Sequence, residues 1–575
     1  MEAPTTQPSS HQPALADEPI PPPRNRLQRY LTAEPPDTSC PVHPPLILGP
    51  GERMAWDMTC DTLVLGFGAA GAAAAIGARE GGDAVVVADR FDGGGATAKS
   101  GGVIYAGGTR YQKALGFEDT PTDMFNYLTQ EVRGAVSDAT LRKFCEDSAG
   151  LIEWVASLGA DFESTAPPSK TSYPAKHVHL YYSGNEGVPA YAASATPNPR
   201  GHRPAGKGMS GAELFEVLKR RVEELDIPVL RQSAARRLIV DADTGRVIGA
   251  ELWRIPPGSA AARRHDRLIR TAERWHRFAA AYSDRQRKKA FALERRQAKS
   301  YRVQATKKVV LTTGGFIFNR QMVGQYAPRF GVSMRLGTTG CDGSGIRLGQ
   351  SVGGATALMD KVSAWRFINP PAAEAHGVAV NDRGERFCNE EMYGASLGEE
   401  IYKQGNGKTW LILDRRLVRR VLKDACFGRL WWFQSMLTLL PFLWVKRGRT
   451  PEELARRLGV PPTTLRATLE ENNAAAAGTV PDPVGKSSAM RTALSEAPFY
   501  ALDIGATSYP LPALTLGGLQ VNEVSGAVLT GDGRPISGLF AAGRCSAGLC
   551  GNGYVSGLSL ADCLWTGWRA ARAPS

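Results

Sequence analysis

The sequence predicts an α/β fold in which a doubly wound parallel sheet is split between the first and last parts of the chain, with an α+β domain inserted between them. Three observations predict this fold. A glycine-rich turn joins the apolar stretch 61–65 to a run of small residues typical of a closely packed helix. Residues 84–89 form a short apolar run, as in a parallel strand buried on both faces. Residues 506–575 return to strand, glycine turn and helix.

The composition indicates a folded protein of more than one unit. The chain has 575 residues, of which 43% are hydrophobic and 22% charged, enough to bury large cores. Residues 1–50 carry 13 prolines, so we expect a disordered tail over 1–54. Nine dispersed cysteines without a Cys-x-x-Cys pair argue against a disulfide framework and favour a reducing cytoplasm. The N-terminal residues lack the basic and apolar regions of a secretory signal.

The domain boundaries are predicted from the order of the strand and helix signals. Residues 55–345 and 506–575 would form one domain, and 346–505 would form the inserted substrate domain. RLIVDADTGRVIGAELWR (237–254) and a strand ending at Leu311 predict a β-meander. A basic helical insertion over about 258–305 would interrupt this meander.

The first motif is Gly66-Phe-Gly68-Ala69-Ala70-Gly71, which follows the predicted strand DTLVL and opens the helix of small residues. Glycines here permit a tight turn, so that backbone N–H groups and the helix dipole face a pyrophosphate. Asp89 ends the second predicted strand, where a carboxylate can accept a hydrogen bond from a ribose hydroxyl. The alternative for Asp89 is a solvated strand end. We expect Arg90 to contact the cofactor beside it.

Further glycine turns extend the predicted site. A second glycine-rich loop follows at 93–102, and two more turns lie at 312–315 and 342–345. Near the C-terminus an apolar strand runs into Gly543, and a helix starts after Gly557. The order and spacing of these turns indicate FAD in a split domain, and no metal site is expected. The cofactor contacts expected in these turns are Gly95, Ala96, Thr97, Ser100, Gly101, Gly102, Thr313, Gly314, Gly315, Asp342, Gly343, Gly543, Arg544, Gly557, Leu558, Ser559 and Leu560.

This set of motifs resembles the flavoproteins of the fumarate reductase and 3-ketosteroid dehydrogenase superfamily, over roughly Asp57 to Ala570. The resemblance implies a Rossmann-like FAD-binding domain, built from the first and last parts of the chain, with a catalytic domain inserted. Members that attach FAD covalently use a histidine near the second glycine loop. No histidine lies between Gly66 and Gly108, so we expect non-covalent FAD.

Within this superfamily the sequence is most similar to 3-ketosteroid Δ4-(5α)-dehydrogenases. The similarity rests on GGATAKSGGVIYAGGTRYQKALGF ending at Phe117, YYSGN (181–185), NPRGH (198–202), EEMYG (390–394), TLGGLQVN (515–522) and AAGRCSAGLCGNGYVSGLSLAD (541–562). It implies that Tyr393 and Tyr554 hydrogen-bond a steroid 3-keto oxygen. Ser556 would take the proton from carbon 4 through a relay, while flavin nitrogen 5 takes the hydride from carbon 5.

Several alternatives remain open at this stage. Tyr393 and Tyr554 could be packing residues, and Ser556 could be the N-cap of the final helix. A 3-ketosteroid Δ1-dehydrogenase would share nearly every motif. A fumarate-reductase-like enoate reductase is a further alternative, although its characteristic His-Pro-Thr is missing and the comparable region reads RFINPP. A ketosteroid dehydrogenase would need an external electron acceptor, such as a quinone. Tyr105, Tyr181 and Tyr182 are equal candidates for lining the site and for packing.

Two segments point to a membrane surface as a possible partner. The net charge is +13, and 263–308 contains 16 Lys/Arg against 4 Asp/Glu, which accounts for +12. This segment also carries an apolar stripe at helical spacing, formed by Leu268, Ala272, Trp275, Ala279 and Tyr282. Basic amphipathic helices suit anionic lipid. Nucleic acid is the rival partner that we do not favour, and a solvated surface hairpin is the third interpretation.

The second segment is the apolar run 430–445, which has tryptophans near both ends and basic residues on both flanks. It is too short to span a bilayer and contains Pro441. We expect either monotopic membrane docking, which would let a sterol enter from lipid, or a core segment of the catalytic domain. The expected localisation is therefore cytoplasmic with peripheral membrane association.

Overall fold

The computed structural model describes residues 19–20, 38–167, 170–175, 177–206, 208–276, 279–428, 430–507 and 511–574. Its largest element is a mixed sheet that confirms the predicted fold class. The central strand, Lys299–Leu311, pairs along its length with the parallel strand Met58–Leu65. The order across the sheet is Leu46–Leu48, Ser233–Asp241, Val247–Arg254, Lys299–Leu311, Met58–Leu65, Val85–Ala88 and Val229–Leu230.

The central strand joins two kinds of sheet. Its first half pairs antiparallel with Val247–Arg254, which completes the predicted β-meander. Its second half pairs parallel with Pro535–Ala541, a strand from the last part of the chain, which in turn pairs with Ala527–Leu529. The parallel sheet is therefore built from both ends of the chain, as expected.

Apolar side chains of the parallel strands alternate between two cores. Leu63 and Leu65 lie in one core, whereas Val64 lies in the other. The predicted run at 84–89 forms the strand Val85–Ala88, which is buried throughout and alternates in the same way. Because successive side chains of a strand point to opposite faces, both faces of this sheet are covered.

The run of small residues forms the helix Ala69–Glu80, which packs against the final helix Leu558–Arg572. The two backbones approach closely, because a Cβ at Gly567 would lie 2.3 Å from the Ala70 carbonyl oxygen. The first and last parts of the chain are thus held together by helix packing as well as by the sheet. Apart from the two helices of the basic insertion, the remaining α-helices that begin outside 346–505 are Arg110–Lys113, Pro121–Val132, Asp138–Ser157, Pro189–Ala192, Gly211–Glu224, Arg320–Tyr326 and Ser344–Ser351.

The inserted segment carries a separate antiparallel sheet with the strand order Val378–Asn381, Thr409–Leu413, Phe499–Asp503 and Lys446–Gly448. Its helices are Gly394–Lys403, Arg415–Phe427, Trp432–Leu439, Pro451–Leu458 and Pro462–Ala476. Smaller strand groups complete the fold: Ile104–Tyr105 with Gly201–His202 and Leu180–Tyr181, Met334–Arg335 with Pro512–Thr515 and Val362–Ala364, and Thr356–Ala357 with Gly518–Leu519.

The basic insertion forms a helical hairpin, as predicted, from the helices Ala260–Trp275 and Ala280–Gln297; we call it the basic hairpin. The predicted apolar stripe does not lie on one helix, because the first helix ends at Trp275 and the stripe crosses the turn. Ala272 is fully buried, whereas Trp275 and Tyr282 are exposed and contact each other. The side of the first helix that packs against the rest of the protein is formed by Ala262, His265, Ile269 and Ala272, which are buried.

The expectation of a disordered tail over 1–54 is wrong in part. Leu46–Leu48 is a strand parallel to Ser233–Asp241, and Thr38, Ser39 and Cys40 are buried. Backbone pairing at the sheet edge holds Leu46–Leu48, and the Cys40 N–H donates to the Asp342 carboxylate at 2.7 Å. Residues 1–18 and 21–37 lie outside the described residues. In the part of the chain that is described, no helix is long and apolar enough to cross a membrane.

Candidate active site

The glycine turn after the first parallel strand has the geometry of a phosphate-binding turn. Gly66 adopts φ +111°, which side chains disfavour, and a Cβ at Gly71 would lie 1.9 Å from the Gly66 carbonyl oxygen. Gly71 is therefore required for the helix to start so close to the strand. A Cβ at Gly68 would meet no protein atom closer than 3.5 Å, so the missing side chain there leaves room for a ligand.

Asp89 lies at the end of Val85–Ala88, as predicted, and organises this turn. Its carboxylate accepts hydrogen bonds from the backbone N–H of Phe67 at 2.8 Å and of Phe91 at 2.7 Å. Burial raises the pKa of Asp89, while these N–H groups oppose the shift. A carboxylate has about four acceptor positions, so Asp89 can still accept from a ribose hydroxyl.

A cavity of about 1390 Å³ begins at this turn. It is larger than the roughly 300–1,000 Å³ of a usual small-molecule pocket, and so has room for a dinucleotide together with a second ligand. We call the part lined by Phe67, Asp89 and Thr97 the nucleotide end. The part lined by Trp365, Tyr393, Trp431, Tyr554 and Ser556 is called the aromatic end.

Most of the predicted site residues line this cavity. The three predicted catalytic residues do so, together with Gly66, Gly68, Ala69, Ala70, Asp89, Arg90, Gly95, Ala96, Thr97, Ser100, Gly101, Gly102, Thr313, Gly314, Arg544, Gly557, Ser559 and Leu560. Six predicted cofactor contacts are absent from its wall: Gly71, Gly315, Asp342, Gly343, Gly543 and Leu558. These six residues lie behind the wall. Four of them are glycines in or beside tight turns, and Asp342 and Leu558 are buried next to the residues that line the cavity.

Asp342 illustrates such a supporting position. Its carboxylate accepts hydrogen bonds from the N–H groups of Cys40 at 2.7 Å and Ser344 at 2.9 Å, and it pairs with Arg90 at 2.7 Å. The guanidinium of Arg90 also pairs with Glu294 at 3.0 Å. The sequence alone did not reveal that Arg90, although it lines the cavity, is held by two buried carboxylates.

Arg544 places a cation on the wall of the cavity. Its Nη2 donates to the Cys341 sulfur at 3.3 Å, and its buried Nη1 has no hydrogen-bond partner among the described residues. A buried, unpaired guanidinium N–H is costly unless a ligand accepts from it. Arg544 therefore fits a polar or anionic part of a bound cofactor.

The aromatic end brings two predicted tyrosines to one wall from distant parts of the chain. Tyr393 immediately precedes the helix Gly394–Lys403, and its ring lies 6.0 Å from that of Phe367. Tyr554 lies in the turn before the final helix, with its ring 5.1 Å from that of Trp365. Burial raises the pKa of both tyrosines, so both hydroxyls stay protonated at neutral pH.

Ser556 is held by contacts that the sequence did not predict. Its Oγ lies 3.1 Å from the Tyr181 hydroxyl, and its carbonyl oxygen accepts from Ser183 Oγ at 2.9 Å. Ser556 is not the N-cap of the final helix, because that helix begins at Leu558 and its cap is Gly557. Its hydroxyl is therefore free of a capping role and faces the cavity.

The other three tyrosines singled out in the sequence lie outside the cavity wall. Tyr181 is fully buried behind Ser556. Tyr105 is also fully buried and donates to Glu186 at 3.1 Å. Tyr182 packs against Phe117. Packing is thus the main role of Tyr105 and Tyr182, whereas Tyr181 contacts the site through Ser556.

A buried polar cluster supports Tyr393 from behind. Asn185 accepts from the Tyr393 N–H at 2.6 Å and donates to Glu131 at 2.7 Å. Tyr127 also donates to Glu131 at 2.7 Å. Burial raises the pKa of Glu131 to about 7. Sequence reasoning missed this cluster, because its members come from three separate segments.

The apolar run 430–445 forms part of the aromatic end. It folds into the helix Trp432–Leu439 and a single 3₁₀ turn over Leu440–Trp444. Trp431 is buried and donates from Nε1 to the Pro174 carbonyl oxygen at 2.8 Å. Cavity-lining residues of the run are Trp431, Trp432, Phe433, Met436, Leu437 and Leu440. One face of the 430–445 segment is therefore part of the protein interior, as in the alternative of a core segment. Arg429, which precedes the segment, lies outside the described residues.

Comparison with known proteins places the chain in a family. Residues 61–560 match the FAD binding domain family. The chain is 41% identical over 518 residues to 3-oxo-5-alpha-steroid 4-dehydrogenase of Comamonas testosteroni, covering 88% of this chain and 96% of that protein. It is 26% identical over 554 residues to 3-oxosteroid 1-dehydrogenase of Mycobacterium tuberculosis, covering 86% and 94%.

A solved structure shares the fold over nearly the whole chain. It is the 3-ketosteroid-delta4-(5alpha)-dehydrogenase from Rhodococcus jostii RHA1 in complex with 4-androstene-3,17-dione. The TM-score is 0.76 and the identity 29%, with 92% of this chain and 99% of that chain covered. Given these matches and the nucleotide end described above, the chain belongs to the FAD binding domain family of flavoproteins, and its cofactor is FAD.

Proposed function

We propose that this flavoprotein dehydrogenates a 3-ketosteroid between carbons 4 and 5, forming the Δ4 product from a 5α-3-ketosteroid. The observation that carries the proposal is the convergence of three hydroxyl groups, from Tyr393, Tyr554 and Ser556, on one wall of an otherwise aromatic cavity that continues from the nucleotide end. An apolar cavity with few polar groups suits a rigid, mostly apolar ligand with one carbonyl.

The side chains provide the polar chemistry that such a reaction needs. Tyr393 and Tyr554 remain protonated, so both can donate hydrogen bonds to a ketone oxygen and stabilise the charge that develops on enolisation. FAD held at the nucleotide end would supply the two-electron oxidant needed to remove a hydride from carbon 5. Ser556 takes the proton from carbon 4 while its own hydroxyl proton passes to the Tyr181 oxygen at 3.1 Å, and the Tyr181 hydroxyl proton is released in turn to water.

The relatives support the Δ4 position over the Δ1 position. The relative named for 4-dehydrogenation is 41% identical to this chain, against 26% for the one named for 1-dehydrogenation. An enoate reductase would need cationic groups to hold a carboxylate, whereas the aromatic end offers neutral hydroxyl groups. The 3-ketosteroid Δ4-dehydrogenase is therefore the best-supported function.

Product analysis on a saturated 5α-3-ketosteroid tests this proposal. The purified holoenzyme should yield a conjugated enone with the double bond at carbons 4 and 5, detected by mass spectrometry and NMR. A product unsaturated only at carbons 1 and 2 would contradict the proposed regiochemistry. Rapid reoxidation of the reduced enzyme by fumarate, with no steroid turnover, would contradict the substrate class.

We also propose that an external acceptor, a quinone or similar molecule, reoxidises the enzyme. A dehydrogenation that leaves the electrons on the cofactor needs such an acceptor for each turnover. Steady-state turnover should require added menaquinone or an artificial dye, while a single turnover should bleach the flavin without either. Turnover with oxygen alone at the same rate would contradict this proposal.

We further propose that the exposed face of the 430–445 segment docks on anionic lipid. Its outer side chains are unusually exposed for apolar residues: Trp432 66%, Leu443 71% and Trp444 64%. Lys446 and Arg447 follow directly and are exposed. Trp432 also lines the cavity, so lipid at this surface would meet the entrance for an insoluble substrate.

Vesicle sedimentation tests the docking proposal with residues that do not line the cavity. The double variant Leu443→Ser, Trp444→Ser should lose most binding to anionic phospholipid vesicles. Val524→Ser is the matched control, because Val524 is exposed to 84% and lies in a different part of the chain. Equal binding of all three proteins would contradict docking through this face.

A further inference from the structure

The basic hairpin lies over the nucleotide end of the cavity. Six residues of its first helix contribute to the wall: His265, Asp266, Ile269, Arg270, Glu273 and Arg274. Of its exposed basic side chains, Arg270 and Arg274 line the cavity, whereas others, such as those of Arg263, Lys288 and Arg296, are absent from the wall. The hairpin thus has an inner face that belongs to the cavity and an outer face toward solvent, and basic side chains lie on both.

A buried ion network fastens the hairpin to the strand end that carries Asp89. Glu294, on the second helix, pairs with Arg90 at 3.0 Å and with His265 Nε2 at 3.0 Å. Arg90 is the residue directly after Asp89, and it also donates to the Thr38 carbonyl oxygen at 2.9 Å and pairs with Asp342. Burial alone would raise the pKa of Glu294, but Arg90 and His265 hold it below its usual value, so Glu294 is an anion.

A second set of contacts places His265 against the same strand end. Its ring stacks on Phe91, with the centroids 6.1 Å apart and the planes 14° from parallel. Its Nδ1 lies 3.2 Å from Gln232 Nε2. Phe91 and Gln232 both line the cavity, so His265 joins the hairpin to two separate parts of the wall.

Glu273 lines the nucleotide end of the cavity, and one of its carboxylate oxygens has no hydrogen-bond donor among the described residues. Its Oε1 accepts from the Thr339 N–H at 2.9 Å. Its Oε2 is buried and has no hydrogen-bond partner among the described residues. A buried carboxylate oxygen without a donor is costly, and an adenine amino group or a ribose hydroxyl is a donor of suitable chemistry. The position of Glu273 on the same wall as Phe91 is consistent with a ligand group near the nucleotide end.

We propose that the basic hairpin is a clamp for the adenosine half of FAD, with Glu273 as a direct contact and the Arg90–Glu294–His265 network as its fastening. Non-covalent FAD leaves only when the protein around it opens, so the stability of this fastening sets the release rate. The proposal rests on the assignment of FAD and not on the steroid substrate, and its test does not use steroid turnover.

FAD release from the holoenzyme tests the clamp. The rise of free-flavin fluorescence after dilution reports the release rate, and circular dichroism reports whether each variant is folded. Glu273→Ala should release FAD about tenfold faster, because it removes one acceptor without touching the ion network. Glu294→Gln should accelerate release further, since it removes one of the two carboxylates that pair with Arg90 and the partner of His265. Arg296→Gln is the control, because Arg296 is exposed on the same helix and should release FAD at the wild-type rate.

Two outcomes would overturn the clamp. Wild-type release rates from folded Glu273→Ala and Glu294→Gln proteins would show that the hairpin does not retain FAD. Equal acceleration by Arg296→Gln would show that any substitution in the hairpin speeds release, and not only the loss of a contact on the inner face. If Glu294→Gln does not fold, Glu273→Ala alone decides, because its side chain lies outside the ion network.

Discussion

The two ends of the cavity differ in the kind of residues that line them. At the nucleotide end the wall consists largely of backbone and small residues, and Gly66, Gly71 and Asp89 hold one tight turn. At the aromatic end the wall consists of large side chains, and Tyr393, Tyr554 and Trp431 come from segments far apart in the chain. A site made from one local turn leaves a strong sequence motif, whereas a site made from converging side chains leaves separate residues whose proximity only the fold reveals.

The sharpest test of this difference is Gly71→Ala. The added Cβ would lie 1.9 Å from the Gly66 carbonyl oxygen, so the turn must distort. We expect purified protein without bound flavin and a lowered melting temperature, measured by absorbance and calorimetry. Gly150→Ala is the control, since a Cβ there meets nothing within 4 Å. Normal flavin content in Gly71→Ala would show that the nucleotide end tolerates side chains after all.

At the aromatic end, Ser556→Ala should reduce kcat without removing FAD. Loss of a proton acceptor lowers turnover by roughly 10²–10⁴-fold. Tyr181→Phe removes only the partner hydroxyl at 3.1 Å and should cost less than Ser556→Ala. Stopped-flow measurement of flavin reduction checks both. If Tyr181→Phe were the more damaging variant, Tyr181 and not Ser556 would be the proton acceptor.

Tyr554→Phe should have a comparable but smaller effect. Removing one hydrogen-bond donor to a developing oxyanion costs about 10²–10³-fold in kcat. The ring remains and keeps its packing against Trp365 at 5.1 Å, so FAD content and stability should be unchanged. Wild-type kinetics of Tyr554→Phe would indicate that this tyrosine only packs, and would leave Tyr393 as the sole candidate donor.

The last expected effect is a pH dependence of the free energy of unfolding, caused by the titration of Glu131 in the buried polar cluster next to Tyr393. Glu131 has a pKa raised to about 7 from an ordinary 4.5, so the folded protein holds a proton that the unfolded chain has lost. This contribution is fully present below pH 4.5 and is lost as the pH rises to about 7. It is on the order of 3 kcal/mol.

Melting temperatures of the wild type and Glu131→Gln across this range measure the effect. The wild type should lose stability relative to the variant as the pH rises from 4.5 to 7. Glu146→Gln, on an exposed position of a nearby helix, should follow the wild type. Parallel curves for the wild type and Glu131→Gln would show that the pKa of Glu131 does not differ between the folded and unfolded protein.

The two insertions show why part of the structure could not be predicted. Periodicity correctly predicted a basic hairpin, but it could not show that His265 and Glu273 face a cavity. The apolar run 430–445 was recognised as unusual, yet whether its tryptophans meet lipid, core or ligand depends on what packs beside them. Trp431 does line the cavity, and Trp444 is exposed, so one run of residues serves both environments.

By itself, the sequence determined the α/β fold, the glycine turn at 66–71 and the position of Asp89 at a strand end, because these depend on backbone conformation and on spacing within one βαβ unit. It also singled out Tyr393, Tyr554 and Ser556 through a family resemblance. Only the tertiary structure decided that they share a wall, that Tyr181 orients Ser556, and that the basic hairpin covers the nucleotide end. Those relations join residues separated by up to 375 positions in the chain, and no local pattern records such contacts.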